Sequence, residues 1–347
     1  MQDQIWDKRC LDQGLKDVGT NGPYVKLFRN QVAAECDVEP ENVFLSNSGT
    51  SALELSLQQL DLGLNIIVVM PAMNFIASVN VVRKAGFAVH LVDVNPDTLL
   101  MDFDERLDKT CKDLKRNHNN VIIMPTLLYG ATYDYRLPKN LDFNYIDGVI
   151  FDACEAFGSD ISMLPHVESG KMFYCYSFNN NKILTTGGGG AIVAGRRHIS
   201  DISARNKQGS YDSWIGENKG MPSLNAQLGY HSIINNTFSC DMKRKREIYD
   251  HYKLCLGDIV KFQKQGNGNY WYTFIMFPNY ISKNLTINEF DELGIPYRLP
   301  FQAFNPFCNA KRANHLGLCL PSSPQMLKFY HLVQVVDIIK KAVKRYA

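Results

Sequence analysis

The sequence predicts an α/β fold. A large domain carries a mostly parallel, seven-stranded sheet flanked by helices, and a smaller α+β domain follows at the C-terminus. Three observations lead there. Short, nearly all-apolar runs recur at Val43–Leu45, Ile66–Met70, Ala88–Val94, Val121–Pro125, Val149–Asp152, Phe173–Phe178 and Ala191–Ala194. Helical stretches separate several of them, and strands that are apolar on both faces belong to sheets covered on both sides. The chain has 347 residues, more than one typical domain, and its texture changes near residue 222.

Taken in order, residues 24–36 read as an amphipathic helix after a Gly22-Pro23 turn. The strand Val43–Leu45 leads through Asn47-Ser-Gly-Thr50 into a helix from Ser51 to Leu60. Helical stretches at 74–85 and 102–115 separate the next strands. Beyond 222 come two long helical stretches, 222–238 and 239–256, then the β-preferring run Tyr270–Phe277. A helix at 287–293, another short extended stretch and a C-terminal helix at 324–345 complete the chain. We place the domain boundary at 235, giving units 1–235 and 236–347.

Composition narrows the function classes. The 45% hydrophobic content is ample for a packed core, and 21% charged is ordinary. A net charge of +2 gives no basic surplus for nucleic acid. The one dense basic run, Lys243-Arg-Lys-Arg246, reads as a solvated helix face. The N-terminus, Met1 to Lys8, is polar and lacks the apolar core of a signal peptide. No run approaches the ~18 apolar residues of a membrane span. Nine scattered cysteines without a Cys-x-x-Cys pair fit reduced thiols in a cytoplasm better than disulfides or zinc. The eight histidines show no metal spacing.

The candidate chemistry lies at strand ends, where ligands bind in such sheets. Lys182 follows the aromatic strand ending Tyr176-Ser-Phe and precedes the run Gly187–Gly190. Ser177 lies five residues before it, and Asp152 ends the apolar strand Gly148–Asp152. A lysine, a nearby hydroxyl and a strand-end carboxylate are what a pyridoxal phosphate enzyme needs: a Schiff-base amine, a phosphate contact and a partner for the pyridinium nitrogen. Ser48-Gly49-Thr50-Ser51 opens a helix, where free N–H groups and the helix dipole favour an anion. Each piece also has a plain reading. Ser48–Ser51 could be only an N-cap, Asp152 a cap for a helix over Ala-Cys-Glu-Ala, Lys182 a surface lysine, and the glycine run a tight turn. No dinucleotide fingerprint or P-loop is present.

In this combination the chain resembles the DegT/DnrJ/EryC1 family of pyridoxal-phosphate-dependent sugar aminotransferases, of fold-type I. The resemblance rests on Ser48–Leu53, Pro71-Ala-Met-Asn-Phe-Ile-Ala-Ser78, Ala85-Gly86 leading to Val92-Asp-Val94, Asp152–Ser159, Tyr176–Gly190 and Gly216-Glu-Asn218. Ser177–Gly190, Ser223-Leu-Asn-Ala226 and Leu320-Pro-Ser-Ser323 are similar to the branch that aminates C4 of nucleotide-linked 4-keto-6-deoxy sugars, feeding legionaminic acid and bacillosamine pathways. The resemblance implies that Lys182 forms the Schiff base and shuttles the proton, and that Asp152 pairs with the pyridinium nitrogen. It implies that Gly49, Thr50, Ser51 and Ser177 hold the phosphate and that Phe75 stacks on the ring, a core aromatic being the lesser alternative for Phe75. Glu155 stands near the ring hydroxyl. Asn218 would reach the phosphate of the neighbouring subunit's cofactor in a homodimer with shared sites. The further implications are glutamate as donor, a nucleotide-linked keto sugar as acceptor, and a place in bacterial surface-glycan (lipopolysaccharide, O-antigen) or amino-sugar biosynthesis.

The chain departs from the family at several positions. Glu155 stands where Gln or His is usual, and related sugar dehydratases share such a Cys-Glu-Ala stretch but carry histidine in place of Lys182. Pro125-Thr-Leu-Leu-Tyr-Gly130 has Leu127 where the family has a histidine, and Asn218-Lys219-Gly220 replaces Asn-Tyr-Arg. Arg298 could bind a carboxylate or diphosphate through its planar fork, or form a structural ion pair. Dehydration of a keto sugar, and a non-catalytic regulatory role, are the alternative functions.

Overall fold

A computed structural model describes residues 22–63, 65–117, 120–133, 145–167, 170–206, 209–210, 214–304, 307–324 and 328–345. The charged N-terminal segment, Met1 to Lys8, lies outside them. Helix α1 (Pro23–Glu35) starts with proline at its first position, where the missing N–H costs nothing. Then come β1 (Val43–Ser46), α2 (Gly49–Gln59), β2 (Ile66–Pro71), α3 (Ile76–Lys84), β3 (Ala88–Val92), α4 (Glu105–Lys115) and β4 (Asn120–Ile123). They are followed by β5 (Gly148–Asp152), β6 (Met172–Ser177), β7 (Gly190–Ala194), α5 (Arg196–Arg205), and the short strands β8 (Gly209–Ser210) and β9 (Trp214–Ile215).

These build a seven-stranded sheet in the order β1-β7-β6-β5-β4-β2-β3. Only β7 runs against its neighbours; every other pairing is parallel. Alternate strand residues feed two cores. Val68, Met70, Ile122, Ile150, Phe173 and Ile192 pack with α2, α3 and α5 on one face. Val69, Ile123, Phe151, Tyr174, Tyr176 and Val193 pack into the other. Both faces are therefore dry, which is why these strands read as unbroken apolar runs.

The C-terminal part comprises α6 (Ser223–Ile234), α7 (Thr237–Leu256), β10 (Lys261–Phe262), β11 (Thr273–Met276), α8 (Tyr280–Leu293), α9 (Cys308–Leu316), β12 (Gly317–Leu320) and α10 (Phe329–Lys344). An antiparallel sheet, β10-β11-β12, shares a core with α7, α8 and α10 through Ile248, Tyr252, Ile275, Phe290, Leu318 and Ile339. Helix α8 is twice the length the sequence predicts. Its first turns, Tyr280-Ile-Ser-Lys-Asn-Leu-Thr, carry weak helix formers, but Asn279 caps Ser282 N–H at 2.9 Å and Gly294 closes the far end at φ 65°. The run from Tyr270 enters strand geometry only at Thr273, because Tyr270 itself sits at φ 57°. Helices α5 and α9 are elements the sequence reading does not mark.

Two expectations are corrected. Residues 153–159 form turns rather than a helix, so Asp152 is no helix cap. The basic run is not wholly solvated: Lys243 and Arg246 face out, but Lys245 is only 6% exposed. Among the described residues there is no disulfide, no metal-binding cluster and no helix long and apolar enough to cross a membrane.

Candidate active site

The carboxyl ends of β5 and β6, the start of α2 and the start of α3 surround one cavity of about 300 Å³. Gly49, Thr50, Phe75, Asp152, Glu155, Ser177, Lys182 and Arg298 all line it. The sequence reading therefore names side chains that the fold brings together from positions up to 249 residues apart (298 − 49).

The anion end is built by the β1–α2 turn. Ser48 has extended backbone and caps α2, its Oγ accepting from Ser51 N–H at 3.1 Å. The first amides of a helix lack intrahelical partners, so those of Gly49 and Thr50 remain for an anion. Gly49 is required by close approach. A Cβ there would lie 2.7 Å from Cys154 Sγ and 2.8 Å from Ser177 Cβ. Its absence brings the Ser177 hydroxyl against the helix start. Ser51 does not line the cavity: its hydroxyl lies 3.0 Å from Ser48 Oγ, within the cap.

Asp152 is buried, and Ser78 Oγ and Cys154 N–H both donate to its carboxylate. These donors fix its orientation. Lys182 ends a turn in which its N–H donates to Asn179 O at 2.9 Å. The loop to β7 is closed by Phe178 N–H to Gly189 O and by Thr186 N–H to Phe178 O. Asn225 of α6 donates to the carbonyls of Thr186 and Gly188, stapling the glycine run. Gly187 at φ 76° and Gly189 at φ 159° supply conformations that other residues rarely adopt. The lysine is thus no surface residue. Its side chain is 13% exposed, with Nζ 3.7 Å from the centre of the Trp271 ring and 3.9 Å from Glu155 Oε1.

Glu155 is fully enclosed. Its Oε2 accepts from Tyr129 N–H at 2.7 Å, and burial pushes its carboxyl up to about 7, with Lys182 pulling the other way. Tyr129 reaches it by adopting φ 59°, an uncommon conformation for a bulky residue. That backbone is held by Phe301 N–H donating to the Tyr129 hydroxyl at 2.9 Å and by stacking on Phe274. Leu127, at the histidine position of the resemblance, is buried in the main core and takes no part in the cavity lining.

Phe75 is 44% exposed at the cavity wall, 5.4 Å from Phe301, so it is not a core aromatic. Asn218 is exposed and lies outside the cavity lining. Arg298 donates to Tyr272 Oη at 2.9 Å and lines both this cavity and a neighbouring one. Trp271, Thr126 and Ser78 are site residues that the sequence reading does not single out. Trp271 Nε1 donates to Asn181 O, which ties β11's leading edge to the lysine loop. Only their place on the β11 approach, after β4 and in α3 gives them away.

Pyridoxal phosphate fits this set of residues. The Thr126 hydroxyl is buried, lines the cavity and has no hydrogen-bond partner among the described residues. A buried orphan of this kind calls for a polar ligand. Around it stand an anion cradle, a buried carboxylate with two donors and an enclosed lysine.

Comparison with known proteins agrees. The profile of the DegT/DnrJ/EryC1/StrS aminotransferase family matches residues 8–336. GDP-perosamine synthase of Escherichia coli O157:H7 is 28% identical over 278 residues, covering 77% of this chain and 72% of that protein. The dTDP-4-amino-4,6-dideoxy-D-glucose transaminase of Shigella dysenteriae is 25% identical, covering 90% of this chain and 88% of that one. A crystal structure of a DegT DnrJ EryC1 StrS aminotransferase from Brucella abortus superposes with a TM-score of 0.82 at 20% identity, over 99% of this chain and 97% of that one. The chain belongs to the DegT/DnrJ/EryC1/StrS aminotransferase family and is a pyridoxal-phosphate-dependent aminotransferase.

Proposed function

We propose that this enzyme moves an amino group from glutamate to the ketone of a nucleotide-linked 4-keto-6-deoxy sugar, in the making of bacterial surface-glycan amino sugars. The observation that carries the reading is the enclosed Lys182, facing a buried carboxylate pair in a cavity that also holds an anion cradle. Similarity to GDP-perosamine synthase and to a dTDP-amino-sugar transaminase supports the acceptor class.

When bound, the cofactor supplies an electron sink for a carbanion at the donor's Cα. The chain's residues do the rest. Lys182 would hold the cofactor through its amine and would serve as the base that moves the donor's Cα proton. Asp152, oriented by Ser78 and the Cys154 amide, would pair with the ring nitrogen. Gly49, Thr50 and Ser177 bind the phosphate, Phe75 covers the ring, and Glu155 meets the ring hydroxyl. Asn218, exposed on the β9–α6 connection, serves the phosphate of a partner subunit in a homodimer. Arg298 binds an anionic group of the substrate.

The test is a panel of nucleotide-linked keto sugars, with glutamate, read by product mass. Amination replaces the carbonyl oxygen by NH₂ and a hydrogen, and 2-oxoglutarate appears in equal amount. Loss of water without 2-oxoglutarate would establish dehydration instead, the reading that Glu155 motivates.

A further inference from the structure

Beside the cofactor cavity lies a larger one of about 690 Å³, and the two share Asn181, Lys182, Trp271 and Arg298 in their walls. Its wall carries a feature that the reaction proposed above does not use. Lys245 of α7 turns inward from the basic run and is 6% exposed. Its Nζ donates to Trp271 O at 2.5 Å and to Ser322 Oγ at 3.2 Å. An ammonium has three donors, so one remains.

A second cation stands near it. The Arg298 guanidinium and Lys245 Nζ lie 5.5 and 5.9 Å from the centre of the same Tyr272 ring. Both residues line the cavity, together with the hydroxyl residues Ser322 and Ser323. Two cations beside one aromatic ring, in the wall of a cavity that also reaches the catalytic lysine, match an extended dianion attached to the group being aminated. We infer that Lys245 and Arg298 form the diphosphate subsite of this enzyme, with Lys245 as its buried anchor. The inference rests on the nucleotide-sugar reading.

The surroundings of Lys245 make the subsite responsive to pH. Burial lowers the Lys245 ammonium to about 7, partly offset by Asp241 on the same helix. Facing it from other elements are Tyr272 and the buried thiol of Cys319, while Arg298 and Lys182 share the cavity. A lysine poised there takes up a proton when a diphosphate arrives, because the anion favours the charged form.

Calorimetry tests this with UDP-glucose, dTDP-glucose and GDP-mannose. These carry diphosphate diesters that do not titrate near neutrality and no ketone to react. The wild-type holoenzyme should bind at least one of them with net proton uptake, read as a dependence of the heat on buffer ionisation. Affinity should fall by up to about tenfold per pH unit above 7. Lys245→Met should weaken binding at pH 6.5 by about tenfold or more and abolish the uptake, at the charge-assisted end of hydrogen-bond energies. Lys245→Arg should bind with little dependence on pH. Conversion of the cofactor by glutamate alone, unchanged in both variants, shows that they are folded. Equal affinity in wild type and Lys245→Met overturns the subsite and leaves the nucleotide-sugar reading standing. Wild-type protein that reacts with glutamate but binds none of the three overturns both.

Discussion

At the scale of residues, the site works by withholding water from a few ionisable groups. Glu155 is the clearest case. In the unfolded chain its carboxyl titrates near 4.5, whereas in the folded cavity burial raises it to about 7. Between those values the folded state holds a proton that the unfolded state has released. This contribution to stability is complete below 4.5 and is lost as pH rises through 7. The cofactor-free enzyme should therefore lose up to about 3 kcal/mol across that window from this group alone. Glu155→Gln, which keeps the shape without the charge, should remove that part of the slope in thermal melts from pH 4.5 to 8. Parallel slopes for the two proteins would show that Glu155 is ionised throughout. The sequence displays Glu155 as a departure but not its burial. That depends on Tyr129 adopting φ 59° and on Phe301, 172 positions further on, clasping its hydroxyl. No local pattern carries either fact.

At the scale of elements, the strands are legible because both faces of the sheet are covered, so burial writes itself as an unbroken apolar run. The catalytic turns are legible for a related reason: they must follow strand ends. The glycines at those turns are set by packing. Gly190 begins β7 opposite Ser46 and Ser177. A Cβ there would lie 2.6 Å from the backbone of Ser48 and 2.7 Å from Gly49 N. Backbone cannot rotate away as a side chain can. Gly190→Ala should cost about 2 kcal/mol, in the range of overpacked cores. It should also weaken cofactor retention by moving the anion cradle. A variant with unchanged melting temperature and cofactor content would mean that the β7–α2 contact is slack. Helix α7 shows where a sequence signal was present and outweighed. Phe238, Lys245, Ile248, Tyr252 and Leu256 lie on its buried stripe at helical spacing. The neighbouring charges of Lys243-Arg-Lys-Arg246 hide the one that turns inward.

At the scale of the whole molecule, the catalytic lysine sits where two cavities meet, and one wall of each is made by residues that follow 270. Trp271 joins the parts: its ring lies under Lys182, its indole donates to Asn181 O, and its own carbonyl accepts from Lys245. The resemblance reaches the cofactor residues because they cluster in short segments, all but Asn218 before Gly190. It is silent on Trp271, Tyr272 and Lys245, whose importance comes from how β11 and α7 approach the sheet. Two enclosed lysines flank Trp271, so the assignment of the Schiff-base amine can be tested directly. The measurement is borohydride reduction of the pyridoxal phosphate form, followed by peptide mass mapping. The pyridoxyl group should be found on Lys182 alone, and the Lys182→Ala protein should carry none. A label on Lys245, or on Lys182 and Lys245 alike, would contradict the site described above.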